Sequence, residues 1–351
     1  MNAAIKDTAA HAVDWARVRR DFPILSRKVH GKPLIYFDSA NTAQKPDVVI
    51  DAVDAFYREH NANVSRAVHQ LSEEATALYE GARTRLATFL GANHRDEIVL
   101  TSGLTMSTNL VAYSYLLPRL KPGDAILVTA MEHHADIVPW QLVCKLTGAH
   151  LKVAPINEAG ELLVDKFIAA LTPEVKFAGV AHVSNVLGTI NPVKQLAREC
   201  RKRGIPLLVD GAQAAPHLPV DVKAIGCDFY CVTGHKMCGP TGTGALWARR
   251  EILESMPPFF GGGDMIKTVT FDGTTFADSP HKFEAGTPNT AGFAGLTAAI
   301  DYLAALGMDN IAAREHALLE YATPRLEAVP GLHIFGHAHD KAAVISFLID
   351  G

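Results

Sequence analysis

A lysine stands at the mouth of an apolar run, Phe229-Tyr-Cys-Val-Thr-Gly-His-Lys236, and a glycine-rich turn, Met-Cys-Gly-Pro-Thr-Gly-Thr-Gly244, follows it. Desolvation at such a place disfavours the ammonium, and a neutral lysine amine is a nucleophile toward carbonyl carbon. Thr233 and His235 flank the lysine as donors to a phosphate. Alone, the same pattern also describes a surface lysine after a buried strand. The other loops of the chain have to separate the two.

In open α/β sheets ligands bind outside the carboxyl ends of the strands, so the loops after apolar runs carry the information. Thr101-Ser-Gly-Leu-Thr-Met-Ser107 opens a helix. Gly103, the amides of Leu104 and Thr105, and the Thr105 hydroxyl make an anion cradle there, or else an ordinary Ser/Thr cap. In Met131-Glu-His-His-Ala135, His133 or His134 can lie flat on a planar ring; adjacent histidines in a loop point apart, which makes a poor metal site, and none is expected. Asn185, in Ser184-Asn-Val-Leu-Gly188, is an uncharged donor suited to a carboxylate or a phenolic oxygen. Asp210, in Asp210-Gly-Ala-Gln213, is a carboxylate at the end of an apolar strand and wants a positive partner. A pyridinium nitrogen supplies one, and Gln213 reaches for a ring oxygen; a helix cap is the plainer role for Asp210. An anion cradle, a stacking imidazole, an acid for a ring nitrogen and an imine-forming lysine together fit pyridoxal 5'-phosphate (PLP). No G-x-G-x-x-G lies in the first strand–helix turn, and no Gly-Lys-Ser/Thr closes the Gly239–Gly244 stretch, so neither a dinucleotide site nor a Walker loop is read here.

The elements that must position these residues alternate. Strand-like runs at 97–101, 125–129, 151–154, 177–183, 205–209, 227–232 and 244–248 are separated by helical patterns at 105–117, 137–146, 164–171 and 193–203. This predicts a mostly parallel sheet covered on both faces. Leu34–Phe37 reads as a further short strand, Pro46 as the opening of a helix, and Ser72–Leu90 as another. After Gly261-Gly-Gly263 a polar stretch leads to helices near 290–305 and 309–327 and strand-like runs at 332–335 and 343–349. The expected division is an N-terminal arm (1–30), a large ligand-binding domain (31–290) and a smaller α+β domain (291–351) that ends directly after a strand and reads as truncated.

The 351 residues are 48% hydrophobic and 20% charged, with a formal net charge of −4, so no footprint for nucleic acid is present. No apolar run spans a bilayer and the N-terminus lacks a signal-peptide core, which makes a cytoplasmic protein without membrane partners the expectation. Five cysteines without a C-x-x-C pair give neither a disulfide framework nor a zinc site.

The ordered motifs Tyr36-Phe-Asp-Ser-Ala40, Gln44-Lys-Pro46, Glu132-His-His-Ala135, Ile137-Val-Pro-Trp-Gln141, Val183-Ser-Asn-Val-Leu-Gly188, Asp210-Gly-Ala-Gln213, Gly234-His-Lys236, Gly239-Pro-Thr-Gly242, Gly261-Gly-Gly-Asp-Met-Ile266 and Phe283-Glu-Ala-Gly-Thr-Pro-Asn289 resemble those of the class V, fold type I PLP enzymes. Among these they look most like the Suf-type cysteine desulfurases, also described as selenocysteine lyases. The resemblance implies an α/β fold with a seven-stranded, mostly parallel sheet plus a small α+β domain. It implies that Lys236 carries PLP as an imine and moves protons, that Asp210 pairs with the pyridine nitrogen and Gln213 with the ring oxygen, and that His133 stacks on the ring. Gly103, Leu104, Thr105, Thr233 and His235 would hold the phosphate. Thr287 would reach the cofactor of a neighbouring subunit in a homodimer with shared sites. Ala40, Asn41 and Asn185 would border the substrate. The activity implied is conversion of L-cysteine to L-alanine, with sulfur passed to an acceptor protein for iron–sulfur cluster or sulfur-cofactor assembly.

Departures accompany the resemblance. The family's nucleophilic cysteine and substrate-gripping arginine belong to a segment beyond residue 351. Ser65-Arg66-Ala67 replaces a usual His-Arg-Gly, Asn41 a usual alanine, and Ser102-Gly-Leu-Thr-Met106 a usual Arg-Gly-Thr-Thr-Glu, with Ser102, Leu104 and Met106 the altered members. Two alternatives follow: a class V lyase, epimerase or aminotransferase acting on another amino acid, and a truncated, non-catalytic paralogue.

Overall fold

The structure, a computed structural model, describes residues 13–65 and 68–350. Apolar runs that carry no polar face must be covered on both sides. Six of them, with a largely exposed edge strand β3, assemble one sheet: β1 (Ile98–Thr101), β2 (Ala125–Thr129), β3 (His150–Ala154), β4 (Val175–Ala181), β5 (Leu207–Asp210), β6 (Phe229–Thr233) and β7 (Gly244–Ala248). Their order across the sheet is β1-β7-β6-β5-β4-β2-β3. The pairs β2·β3, β2·β4, β4·β5 and β5·β6 are parallel, whereas β7 runs antiparallel to both β6 and β1. Only residues 234–243 join β6 to β7. That length is too short for the crossover a parallel pair needs, so the chain turns back. The seven-stranded α/β sheet expected of a fold type I enzyme is therefore present, with one reversed strand.

Helices cover both faces. Asp47–Ala55, Gln70–Phe89 and Thr290–Leu306 pack together on one side, and Leu104–Leu110 and Val138–Thr147 lie on the other. The helix read at 105–117 begins at Leu104 and loosens into a π-helical turn over Val111–Leu116. Leu34–Phe37 is not a strand: it follows a two-residue antiparallel pair, Lys28–Val29 with Lys32–Pro33, and after one bond from the Leu34 N–H to the Arg27 carbonyl at 3.0 Å no ladder continues. Ile35 and Phe37 are left 75% and 95% exposed, so the apolar run that suggested a short strand is not covered in this chain. The last helix, Met308–Glu327, is followed by an antiparallel pair, Leu332–Phe335 with Ser346–Ile349. No single described helix is long and apolar enough to cross a membrane.

One buried ion pair ties the helical layer to the segment that carries Thr287. Arg83, on the helix Gln70–Phe89, has a fully buried side chain and donates to both oxygens of Glu284 at 2.7 and 2.8 Å. Tyr79 Oη and the Leu100 N–H donate to the same carboxylate, and Arg83 also donates to the Ile98 carbonyl at the edge of the sheet. A buried pair whose remaining valences are satisfied is costly to break from one side, because the survivor is an uncompensated charge. Arg83→Met should lower unfolding stability by about 3–5 kcal/mol in denaturant titrations of the cofactor-free protein; a loss below about 1 kcal/mol, the range of exposed pairs, would place Glu284 in solvent.

Candidate active site

Parallel strands that end side by side put their following loops at one edge. Asp210, the last residue of β5, pairs in register with Ala181 of β4 and Cys231 of β6. Lys236 follows β6 by three residues, in a tight turn over Gly234–Lys236. A cavity of about 320 Å³ opens at this edge. Its lining includes Asn41, Gly103, Leu104, Thr105, His133, Asn185, Asp210, Gln213, Thr233, His235 and Lys236.

Two of the expected residues lie outside it. Ala40 is not in the lining, but its carbonyl accepts from Gln213 Nε2 at 2.7 Å and so orients that amide. Thr287 is exposed and lines a second, larger cleft of about 800 Å³, together with Ser65, Asp264 and Ile266. Ser102 and Met106 line both spaces. Of the altered Ser65-Arg66-Ala67 stretch, Arg66 and Ala67 lie outside the described residues.

The electrostatics follow from burial. Asp210 is 5% exposed and accepts the Ala212 N–H on Oδ1 at 2.8 Å. Among the described residues no cation forms an ion pair with it, and burial raises its pKa to about 6 against the pull of that N–H and of the Lys236 charge. Lys236 is pushed the other way: burial lowers its pKa, and Asp210 only partly opposes this. Burial also lowers the pKa of His133, helped by the Lys236 and His134 charges, which favours the neutral imidazole that stacks on an aromatic ring.

Backbone approach shapes the anion cradle. Gly103 has φ +142°, open to glycine, and a Cβ on Gly244 would stand 2.5 Å from the Gly103 Cα. The loop after β1 therefore lies against the start of β7 because both positions lack a side chain. Leu104 sends its side chain into the core, which leaves its backbone to face the cavity it lines. Ser102 donates from both N–H and Oγ to the Met106 sulfur at 3.3 and 3.4 Å, so two of the three departures in this loop partner each other.

Several residues at this edge were not singled out from sequence. A strap formed by Thr42, Ala43 and Lys45 holds the His235 carbonyl: Thr42 Oγ1, the Ala43 N–H and Lys45 Nζ all donate to it, at 3.3, 3.0 and 3.1 Å. Glu132 and Asp136, on either side of His133, are buried carboxyl groups. Glu132 opens a quoted motif and Asp136 falls between two of them, and an acid on either side of a candidate histidine was the available signal.

With the geometry established, comparison with known proteins defines the class and then the family. The family model for class-V aminotransferases matches residues 35–351. A probable cysteine desulfurase of Xylella fastidiosa (strain 9a5c) is 60% identical over 338 residues, covering 96% of this chain and 81% of the relative. The crystal structure of the cysteine desulfurase CsdA of Escherichia coli, in its S-sulfonic acid form, superposes with a TM-score of 0.89 at 38% identity, covering 97% of this chain and 84% of that one. The cystine C-S lyase C-DES, in complex with its product cysteine persulfide, superposes with a TM-score of 0.82 at 25% identity, covering 94% and 86%. The protein is thus a class-V enzyme of the PLP-dependent, fold type I group. Within that group the chain belongs to the cysteine desulfurase family.

The residues present fit that cofactor. Asp210 is a buried acid without a cation, as a pyridinium nitrogen requires. Gln213 is 2% exposed; its Oε1 has no protein partner and its amide keeps one N–H beyond the one given to Ala40. Because the Asp210 carboxyl is protonated below about pH 6, PLP affinity of the cofactor-free protein should fall as pH drops through that value. Asp210→Asn should bind weakly at every pH and show no such step in absorbance titrations; an unchanged step would assign it to another group.

Proposed function

We propose that this chain converts L-cysteine to L-alanine and hands the sulfur to an acceptor thiol that serves iron–sulfur cluster or sulfur-cofactor assembly. The observation that carries this reading is the placement of Lys236 and Asp210 on one cavity with His133, Gln213 and the Gly103–Thr105 cradle. Bound there, PLP supplies an electron sink for charge developing at the amino-acid α-carbon.

The chain's own groups do the rest. Lys236 Nζ, its proton loosened by burial, holds the cofactor, then takes the proton from the substrate Cα and delivers one to Cβ. Asp210 keeps the ring nitrogen protonated, and His133 fixes the ring plane. Gly103, Leu104, Thr105, Thr233 and His235 orient the phosphate, while Asn41 and Asn185, with the nearby Ala40 backbone, border the amino acid. The C–S bond breaks as an S–S bond to the acceptor forms. One cysteine and one thiol give one alanine and one persulfide, and no outside oxidant or reductant enters.

None of the five described cysteines lines the cavity. Four are buried, and burial raises the thiol pKa of the fifth, Cys238, to about 11. The acceptor thiol is therefore not one of them. This observation, with the likeness to a C–S lyase, supports a second reading in which the same site eliminates sulfur without an internal nucleophile. Product analysis with L-cysteine and a thiol separates the two: alanine equal to sulfur released supports desulfuration, and pyruvate supports elimination. Borohydride reduction should fix a cofactor mass on the Lys236 peptide; the same label on another lysine would move the site.

The domain division and the homodimer belong to this proposal; the helix Thr290–Leu306 packs with Asp47–Ala55 and Gln70–Phe89, which supports a boundary after that helix rather than at about residue 290. The Asp21 carboxylate accepts from Tyr302 Oη at 2.8 Å, which supports an N-terminal arm allied to the C-terminal helices. Thr287 is exposed on a cleft contiguous with the cofactor cavity, and Phe37, Val68 and Phe271 are all but fully exposed, which supports a partner subunit completing the site. Mixing Lys236→Ala chains with Thr287→Ala chains should restore activity that neither homodimer has, because one site per mixed dimer is intact. No restoration, at a verified dimer mass, would place Thr287 outside the reaction.

A further inference from the structure

Two buried carboxyl groups that the reaction does not use lie beneath the turn that carries His133. Glu132 ends the approach from β2, and Asp136 closes the short turn His134–Asp136 before the helix Val138–Thr147. Asp136 is fully buried and Glu132 is 8% exposed. Thr129 Oγ1 donates to Glu132 Oε1, and Trp140 Nε1 donates to Asp136 Oδ1 at 2.9 Å. Their other oxygens, Glu132 Oε2 and Asp136 Oδ2, find no donor on any other side chain. The two acids stand four residues apart around the same short turn, each with one orphaned oxygen, and each acts on the titration of the other. The Asp136 carboxyl packs on the bare backbone of Gly179 in β4, where a Cβ would stand 3.0 Å from Oδ1 and 3.1 Å from Oδ2.

Two carboxylates cannot hydrogen-bond each other, because both are acceptors only. We propose that Glu132 and Asp136 share one proton at neutral pH, and that this bond makes them positioning residues for the turn that presents His133 to the cofactor cavity. One hydrogen between the two groups satisfies both orphaned oxygens at once. It also leaves the pair with one negative charge rather than two beside Asp210, the anion that the cofactor needs. Asp210 and Cys231 face the pair electrostatically, the Ala181 N–H and Thr129 hydroxyl reach Glu132, and the Trp140 indole reaches Asp136; no cation is among these groups. Lys236 acts on Asp210 and His133.

The direction of the titration agrees. Burial raises the Glu132 pKa to about 7, and burial together with the Glu132 and Asp210 charges holds Asp136 well above the usual carboxylate range. The folded protein therefore keeps a proton that the unfolded chain sheds near pH 4. The contribution of the pair to stability is complete below that pH and is lost as pH rises toward about 7.

Asp136→Asn replaces the shared proton with a permanent N–H donor. In urea unfolding of the cofactor-free protein, the folding constant of this variant relative to wild type should rise about tenfold per pH unit between about pH 5 and 7. A ratio flat with pH overturns the shared proton. Should the variant not fold, the infrared spectrum of Asp210→Asn decides: with the Asp210 carboxyl removed, a protonated-carboxyl stretch persists at about pH 6.5, and its absence overturns the proposal. The positioning role rests on the cofactor reading, whereas the shared proton does not, so the two fail separately. PLP titration followed by absorbance should give Asp136→Asn an affinity within about threefold of wild type and Asp136→Ala a loss of more than about tenfold. Equal affinities for both variants overturn positioning and leave the cofactor site itself unquestioned.

Discussion

A carboxylate buried at a strand end, ion-paired to no cation among the described residues, is the constraint on which this site depends. Left alone, Asp210 is an expense: desolvation lifts its pKa to about 6, and one backbone N–H offsets only part of that. A protein keeps such a group where a ligand brings the missing positive charge, and a pyridinium nitrogen does so. The same low-dielectric surroundings loosen the proton on Lys236. Acid and base are thus displaced toward each other by one physical cause, burial at the carboxyl edge of a doubly covered sheet.

The topology makes that edge. β4, β5 and β6 are parallel neighbours, so their ends deliver Asn185, Asp210 and Lys236 to one cavity. The reversed β7 contributes no functional loop there; its first residue, Gly244, serves as a floor against which Gly103 rests. The segment from Asp38 to Lys45 then closes over the lysine turn, with three donors converging on the His235 carbonyl and the Ala40 carbonyl holding Gln213. The position of Lys236 is therefore over-determined from both sides of its turn, as a group that must meet a cofactor requires.

Much of this was legible in the residues. Buried strands announce themselves by uninterrupted apolar runs, and the polar residue that ends each run marks the ligand edge. Asp210 and Lys236 were found that way. Leu34–Phe37 failed because a short apolar run says nothing about whether a neighbouring strand exists to pair with it, and none pairs with it here. The direction of β7 was open to a length argument, since ten residues cannot carry a crossover. The Glu132–Asp136 contact was not legible, because two acids four residues apart read equally as a solvated turn or as a buried pair. Only the packing of Gly179 and Trp140 around them decides it. Thr287 stood within a recognised motif, yet nothing in the spacing said that it opens on a different space from Lys236.

The two spaces bear on how the sulfur leaves. Ser102 and Met106 line both, so the cofactor cavity continues into the larger cleft rather than ending in a wall. Met106 is held there by two donors from Ser102, which presents a thioether, not a charge, at the junction. A carboxylate at that position would repel a thiolate or persulfide approaching the substrate sulfur, and a thioether does not. Since no described cysteine reaches the cavity, the accepting thiol has to arrive by a route from outside it. The junction between the two spaces is a route of neutral, polarisable character, and a nucleophile that is itself sulfur is the chemistry such a lining suits.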